Sequence, residues 1–319
     1  MSDGVHLLIP FAASRLEGCR EAAAGLQLPQ LQRLLARLEP CAVDIGDAAS
    51  LSPPHERALA AASGLSAPDG CIPWAAWQVQ QDSGQADRHA WAWITPCHWN
   101  VATDHIVMQP PQELRVDSEE SQALLAAMQP FFAQDGIVLQ FHGPERWLAR
   151  GELFRDLATA SLDRASGHDI DPWVPRAAAA APLRRLQQEM QMLLYTHPVN
   201  DERARRALVP VNSFWASGTG ALPATPALAP TPSAGLLLPQ GLRNAALLQD
   251  WAGWATGWQQ IDRQQCSGLL QSLERGQPVT LTLCGEANAR SWSGRRASLW
   301  RRLRGALRPE PIERLFDSL

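Results

Sequence analysis

The sequence predicts an α/β fold with a largely parallel central sheet flanked by helices. Three observations predict it. Apolar strand-like runs alternate with amphipathic helical runs through most of the chain. The strand-like runs Val5-His6-Leu7-Leu8-Ile9, Leu236-Leu237-Leu238 and Val279-Thr280-Leu281-Thr282-Leu283 are apolar enough to read as buried strands. A chain of 319 residues, 45% hydrophobic and 19% charged, can bury a full core in one large domain or two ordinary ones.

Each element follows from local chemistry. Val5 to Ile9 is a strand running into Pro10. Leu28 to Leu38 carries helical apolar spacing after Pro29, and His55 to Leu65 is a helix opened by Ser52-Pro53-Pro54 and stopped by Gly64. Trp91 to Thr95 and Asp104 to Met108 read as strands. Ser118 to Phe132 is a helix with an acidic first turn that stops before Asp135-Gly136, and Ile137 to Phe141 follows as a strand. Pro182 to Tyr195 is an amphipathic helix with Leu183, Leu186, Met190, Leu193 and Leu194 on its apolar side. Asn212 to Gly220 has the Gly-rich texture of a functional loop, and 221–234 is a Pro/Ala-rich exposed connection. Helical material from Ala245 to Leu273 separates the strands at Leu236 and Val279, and 290–308 is an Arg/Trp-rich C-terminal helix. The expected organisation is one continuous domain over 1–319.

Composition excludes several function classes. A mean hydropathy of -0.20 and no run of about 20 apolar residues exclude a membrane-spanning chain. A net charge of -4 excludes a surface built throughout for nucleic acid. The first residues lack the basic and apolar regions of a secretory leader, so a cytoplasmic location is expected. The six cysteines, Cys19, Cys41, Cys71, Cys97, Cys266 and Cys284, show no paired metal spacing and read as free thiols. Every basic residue is Arg, and 13 Trp stand against a single Tyr.

The common nucleotide, hydrolase and metalloprotease signatures are absent. The densest polar cluster is Thr196-His197-Pro198-Val199-Asn200-Asp201-Glu202-Arg203, followed by Asn212-Ser213-Phe214-Trp215. His197, Asn200, Arg203, Asn212 and Trp215 on loops beside Gly-rich turns suit an anionic or sugar-like ligand, because Arg offers a bidentate fork and Asn both donor and acceptor. His98, Asp104 and His105, with His168 and Asp171, form a second cluster of the residue types divalent metals use. The third feature, with Arg295, Arg296, Trp300, Arg301, Arg302 and Arg304, suits an acidic partner or the phosphates and bases of nucleic acid.

The run Leu194-Tyr195-Thr196-His197-Pro198-Val199-Asn200-Asp201-Glu202-Arg203, continuing through Pro210-Val211-Asn212-Ser213-Phe214-Trp215-Ala216-Ser217-Gly218-Thr219-Gly220, resembles the bacterial RpfE-type regulatory protein family. Ser50 to Leu59 and Thr95-Pro96-Cys97-His98-Trp99 resemble further blocks of that family. The same His197 to Gly220 block is distantly similar to archaeal-type cofactor-independent phosphoglycerate mutases, and Leu28 to Ala36 resembles one of their helices. The resemblance implies an alkaline-phosphatase-like α/β core. It also exposes departures. Where those mutases carry a metal-binding Asp-Gly after the first strand, Ile9 runs into Pro10-Phe11. Their nucleophilic Ser falls in the region of Ser52 and Pro54-His55-Glu56, and their late Asp-x-x-Gly-His motif is occupied by Cys284-Gly285-Glu286-Ala287-Asn288.

The resemblance and its departures imply a non-catalytic regulatory protein that binds a partner protein or a phosphorylated metabolite. No catalytic residue, metal, cofactor or membrane is assigned. One alternative is a metal-dependent phosphotransferase or phosphatase with a site rearranged around His98, Asp104, His105, His168 and Asp171. The other is a nucleic-acid-associated protein.

Overall fold

The computed structural model describes residues 4–85, 87–223, 235–295 and 311–319. The chain begins with strand β1 (Val5–Ile9), helices α1 (Glu17–Ala24) and α2 (Pro29–Leu35), strand β2 (Glu39–Ile45), and helices α3 (Pro54–Ala62) and α4 (Trp74–Ser83). Strands β3 (Trp91–Cys97), β4 (Trp99–Val101) and β5 (Ile106–Met108) precede helices α5 (Pro111–Leu114) and α6 (Ser118–Gln134). The hairpin β6 (Val138–Gly143) and β7 (Arg146–Arg150) and the short α7 (Leu162–Ala165) come next, then α8 (Ala181–Tyr195), α9 (Pro198–Arg205) and β8 (Ser213–Gly220). After β9 (Leu236–Leu237) lie α10 (Gly241–Leu247), α11 (Trp251–Ile261), a π-helical turn and α12 (Ser267–Glu274). Strands β10 (Val279–Cys284) and β11 (Asn288–Gly294) and helix α13 (Ile312–Asp317) complete the described elements.

Contacts divide the chain into two compact units, Met1–Ala48 with Pro53–Leu65 and Pro230–Leu319, and Ala49–Ser52 with Ser66–Ala229. The first unit holds a sheet in the order β2-β11-β10-β1-β9. Strand β1 runs parallel to β10 and β9, whereas β11 is antiparallel to both β10 and β2. The sheet is therefore mixed, not largely parallel. The reason is connection length: Gly285 to Ala287 is too short for a crossover, so β11 must reverse beside β10. Leu7, Ile9, Leu281 and Leu283 share a core with Leu31, Trp254, Trp258 and Phe316, while Leu8 and Cys284 pack with Ala58 and Leu59 of α3.

The expected helix over 290–308 is corrected at its start, because Arg290 to Gly294 belongs to β11. Trp292 enters the core and Arg290 lies over its ring at 5.0 Å. Arg295 is exposed; Arg296, Trp300, Arg301, Arg302 and Arg304 lie outside the described residues, as do 224–234 of the Pro/Ala-rich connection.

The second unit holds an antiparallel sheet in the order β6-β7-β3-β8 and a separate β4-β5 hairpin. Among the described residues the strands thus fall in three sheets, and the mixed sheet of the first unit is flanked by helices. Helix α6 opens with a capping box, Asp117 and Glu120 each accepting the other's main-chain N–H. Helix α8 buries Leu183, Leu186, Met190 and Leu194, as its 3.6-residue spacing predicts.

Asn212 to Gly220, expected as a loop, is corrected to strand β8, paired with β3 from Ser213↔Cys97 to Gly220↔Trp91. Period-two alternation explains it: Phe214 and Ala216 face one apolar cluster and Trp215 another. Gly218 is required by conformation and space, since its φ is +61° and a Cβ there would sit 2.9 Å from the Trp93 ring. Among the described residues, no helix is long and apolar enough to cross a membrane.

Candidate functional site

The polar block around His197 is built where α8 gives way to α9. His197 caps α9, its Nδ1 accepting the Val199 N–H at 3.3 Å, and burial lowers its pKa from the ordinary 6.5. Asn200 is buried and donates from Nδ2 to Leu194 O and Val211 O, both at 2.7 Å, while its Oδ1 accepts from Val211 N–H at 2.9 Å. It ties the end of α8 to the segment entering β8. Arg203 is fully buried; Nε donates to Val209 O at 2.8 Å, Nη2 to Leu114 O at 2.6 Å and Nη1 to Glu120 Oε2 at 2.6 Å.

Asn212 copies a strand neighbour, accepting from Trp99 N–H at 2.7 Å and donating to Trp99 O at 2.9 Å. Trp215 is buried and its indole N–H donates to Ala160 O at 3.0 Å. The polar atoms of Asn200, Arg203 and Asn212 thus serve main-chain groups and one buried carboxylate. That arrangement is a staple holding α8, α9, α6 and β8 together.

The second cluster is divided. His98 Nδ1 donates to Pro210 O at 2.9 Å, and burial lowers its pKa. His168 Nδ1 donates to Ser166 O at 2.8 Å. Asp104, His105 and Asp171 meet at a cavity of about 800 Å³ in the second unit, whose other walls are the loop joining β4 to β5 and the face of α8. The Asp104 carboxylate accepts from His105 Nδ1 at 2.6 Å, which holds its pKa below the ordinary carboxylate value.

Two arginines that sequence reasoning did not single out stand in the same walls. Arg176 pairs with Asp171 at 2.6 Å. Arg184 Nη1 donates to Pro175 O at 2.7 Å and Ala177 O at 3.1 Å, and among the described residues it has no carboxylate partner. Gln188 and Gln191 extend the wall one and two turns along α8. The signal for Arg184 was present as a polar stripe opposite the apolar face of α8. Such stripes are ordinarily solvated, so the spacing alone does not mark Arg184.

The carboxyl ends of β1 and β10 in the first unit are where open α/β sheets place ligands. Phe11 there has a left-handed backbone, φ +53°, its ring against His55 at 5.1 Å. The indoles of Trp254 and Trp258 donate to Phe11 O and Ala12 O at 2.9 and 3.1 Å, and Ala12 N–H donates to Cys284 O at 2.8 Å. Burial pushes the Cys284 thiol up, and Asp44 is ion-paired with Arg57 at 2.8 Å. In the second unit, Ser52 is buried and its Oγ accepts the Gly70 N–H at 2.9 Å. Pro10 and Phe11 offer no metal-ligating side chain here, and the Asp44 carboxylate is taken up by Arg57, so these residues do not fit a two-metal centre. Among the described residues, no three His, Cys, Asp or Glu side chains are grouped to hold a metal ion.

No protein-family model matches the chain, and no curated protein matches it. Among solved structures it is similar to a cofactor-independent phosphoglycerate mutase from Thermoplasma acidophilum, at 13% identity and a TM-score of 0.39 over 99% of each chain. It is also similar to the PH0037 protein from Pyrococcus horikoshii, at 11% identity and a TM-score of 0.49, over 92% of this chain and 87% of that one.

Proposed function

We propose that the chain is a non-catalytic regulatory protein of the RpfE type, on an alkaline-phosphatase-like frame, that binds a small phosphorylated metabolite in the α8 cavity. Arg184 carries the reading: its guanidinium is held at the cavity wall by two carbonyls and, among the described residues, has no carboxylate partner. An arginine so placed offers a preorganised fork to an anion. Gln188, Gln191 and Thr103 supply amide and hydroxyl groups for a hydroxylated body, and Trp99 and Ile106 an apolar wall. A protein partner would then sense the filled or empty cavity.

Isothermal titration with inorganic phosphate and a phosphorylated three-carbon acid tests this. The acid binds more tightly than phosphate, and Arg184→Gln weakens it about 10- to 100-fold, the worth of one charged hydrogen bond. Equal affinity in Arg184→Gln overturns the reading. The Asp104–His105 pair favours a second reading, the phosphotransferase or phosphatase, in which the imidazole oriented by Asp104 carries a proton to or from a phosphate ester. Release of phosphate from the same acid, lost in His105→Gln, selects it.

A further inference from the structure

The first unit contains a cavity of about 480 Å³ at the junction of α1, the turn after β10 and α13. Helix α1 packs against α13. Five charged side chains line this cavity: Arg15 and Arg20 at the α1 end, Glu286 in the turn after β10, and Glu313 and Asp317 on α13. Arg15, Arg20, Glu313 and Asp317 are exposed, and among the described residues none of these four has a hydrogen-bonded or ion-paired side-chain partner, whereas Glu286 accepts from the Ser14 hydroxyl and the Arg15 main-chain N–H. The rest of the wall is Ser14 and the apolar side chains of Ala13, Cys19, Ala23, Phe316 and Leu319. Opposite charges brought to one cavity on packed helices, with no ion pair closed between them, leave room for a ligand that carries both charges itself. The volume is in the range of small-molecule sites, about 300–1,000 Å³.

We propose that this cavity binds a free α-amino acid with an apolar side chain. Its carboxylate meets the forks of Arg15 and Arg20, its ammonium meets Glu313 and Asp317, and its side chain covers Ala23 and Phe316. Each charged end meets its complement, so the zwitterion satisfies groups that a simple anion or amine leaves half-matched.

The test is isothermal titration of the full chain with L-leucine, 4-methylpentanoate and 3-methylbutylamine, the last two each lacking one charge. Leucine binds at least about tenfold more tightly than either. Arg20→Gln weakens leucine and the acid and leaves the amine unchanged; Asp317→Asn weakens leucine and the amine and leaves the acid unchanged. Both positions are exposed, so thermal denaturation of the ligand-free variants matches the parent chain. Absence of leucine binding, leucine binding in either variant as tight as in the parent chain, or an amine or acid as tight as leucine overturns the proposal. Phosphorylated-acid binding at Arg184, measured on the same samples, fails or succeeds separately, because the two sites share no residue.

Discussion

Replacing Arg203 by Met separates the staple from a ligand site. The side chain is fully buried and gives three hydrogen bonds, two to main-chain carbonyls and one to the buried Glu120 carboxylate. Removing one partner of a buried pair costs about 3–5 kcal/mol, because the other charge stays behind. Arg206, 3.2 Å from the second Glu120 oxygen, offsets part of this. The carbonyls of Leu114 and Val209 each lose a donor, at about 1–3 kcal/mol apiece. These terms overlap, so the expected loss is about 4 kcal/mol, a large share of the roughly 5–15 kcal/mol that holds a domain folded. Urea denaturation followed by tryptophan fluorescence measures it. The cycle Arg203→Met, Glu120→Gln and the double variant should return a coupling of about 2–3 kcal/mol. A loss below about 1 kcal/mol, or a double variant equal to the sum of its parts, refutes the reasoning. A midpoint that stays put while phosphorylated-acid binding disappears would make Arg203 a ligand residue instead.

Asn212→Asp should destabilise by about 2 kcal/mol, because a carboxylate oxygen replaces the amide donor facing Trp99 O; an unchanged urea midpoint counts against it. Gly218→Ala places a Cβ 2.9 Å from the Trp93 ring at φ +61°, and the midpoint should fall by at least about 1 kcal/mol; no change would refute the packing. Burial lowers the pKa of His6, His98 and His197 below 6.5, so between the two values the unfolded chain binds more protons. Their contribution is full above pH 6.5 and is lost as pH falls toward the folded values. The denaturation midpoint should drop from about pH 7.5 to about pH 5.5, less steeply in His6→Gln; a slope unaltered by that substitution contradicts it. Maleimide should label exposed Cys41 in the native protein, and buried Cys97, Cys266 and Cys284, whose thiols burial pushes up, only after unfolding; mass mapping decides.

Elements whose signal is local were legible in the sequence. Helix α8 matched its apolar spacing, α6 its acidic first turn, α3 its Pro-Pro start and Gly stop, and β1 and β10 their apolar runs. Strands β2, β7 and β11 were not, because polar or aromatic residues interrupt their alternation and only a partner strand makes their extended form favourable. The glycines of β8 suggested a loop, yet Gly218 lets Trp93 and Trp74 approach the strand and Gly220 lets Pro73 do so. Of the candidate site, Asp104 and His105 were legible as a neighbouring pair, whereas Arg184 was not, since its place at a cavity wall depends on the carbonyls of Pro175 and Ala177.

The sequence by itself determined the class of chain and those helices and strands whose signal is local, because periodicity, caps and turn residues act over a few neighbours. Tertiary structure alone decided the strand directions and the use of each polar side chain. Asn200, Arg203 and Asn212 carry the donors and acceptors of a ligand site, and nothing in their order says whether ligand or backbone will take them. The folded chain commits them to the carbonyls and amides of Leu114, Leu194, Val209, Val211 and Trp99, because a buried main-chain group left without a partner costs more than a binding site gains.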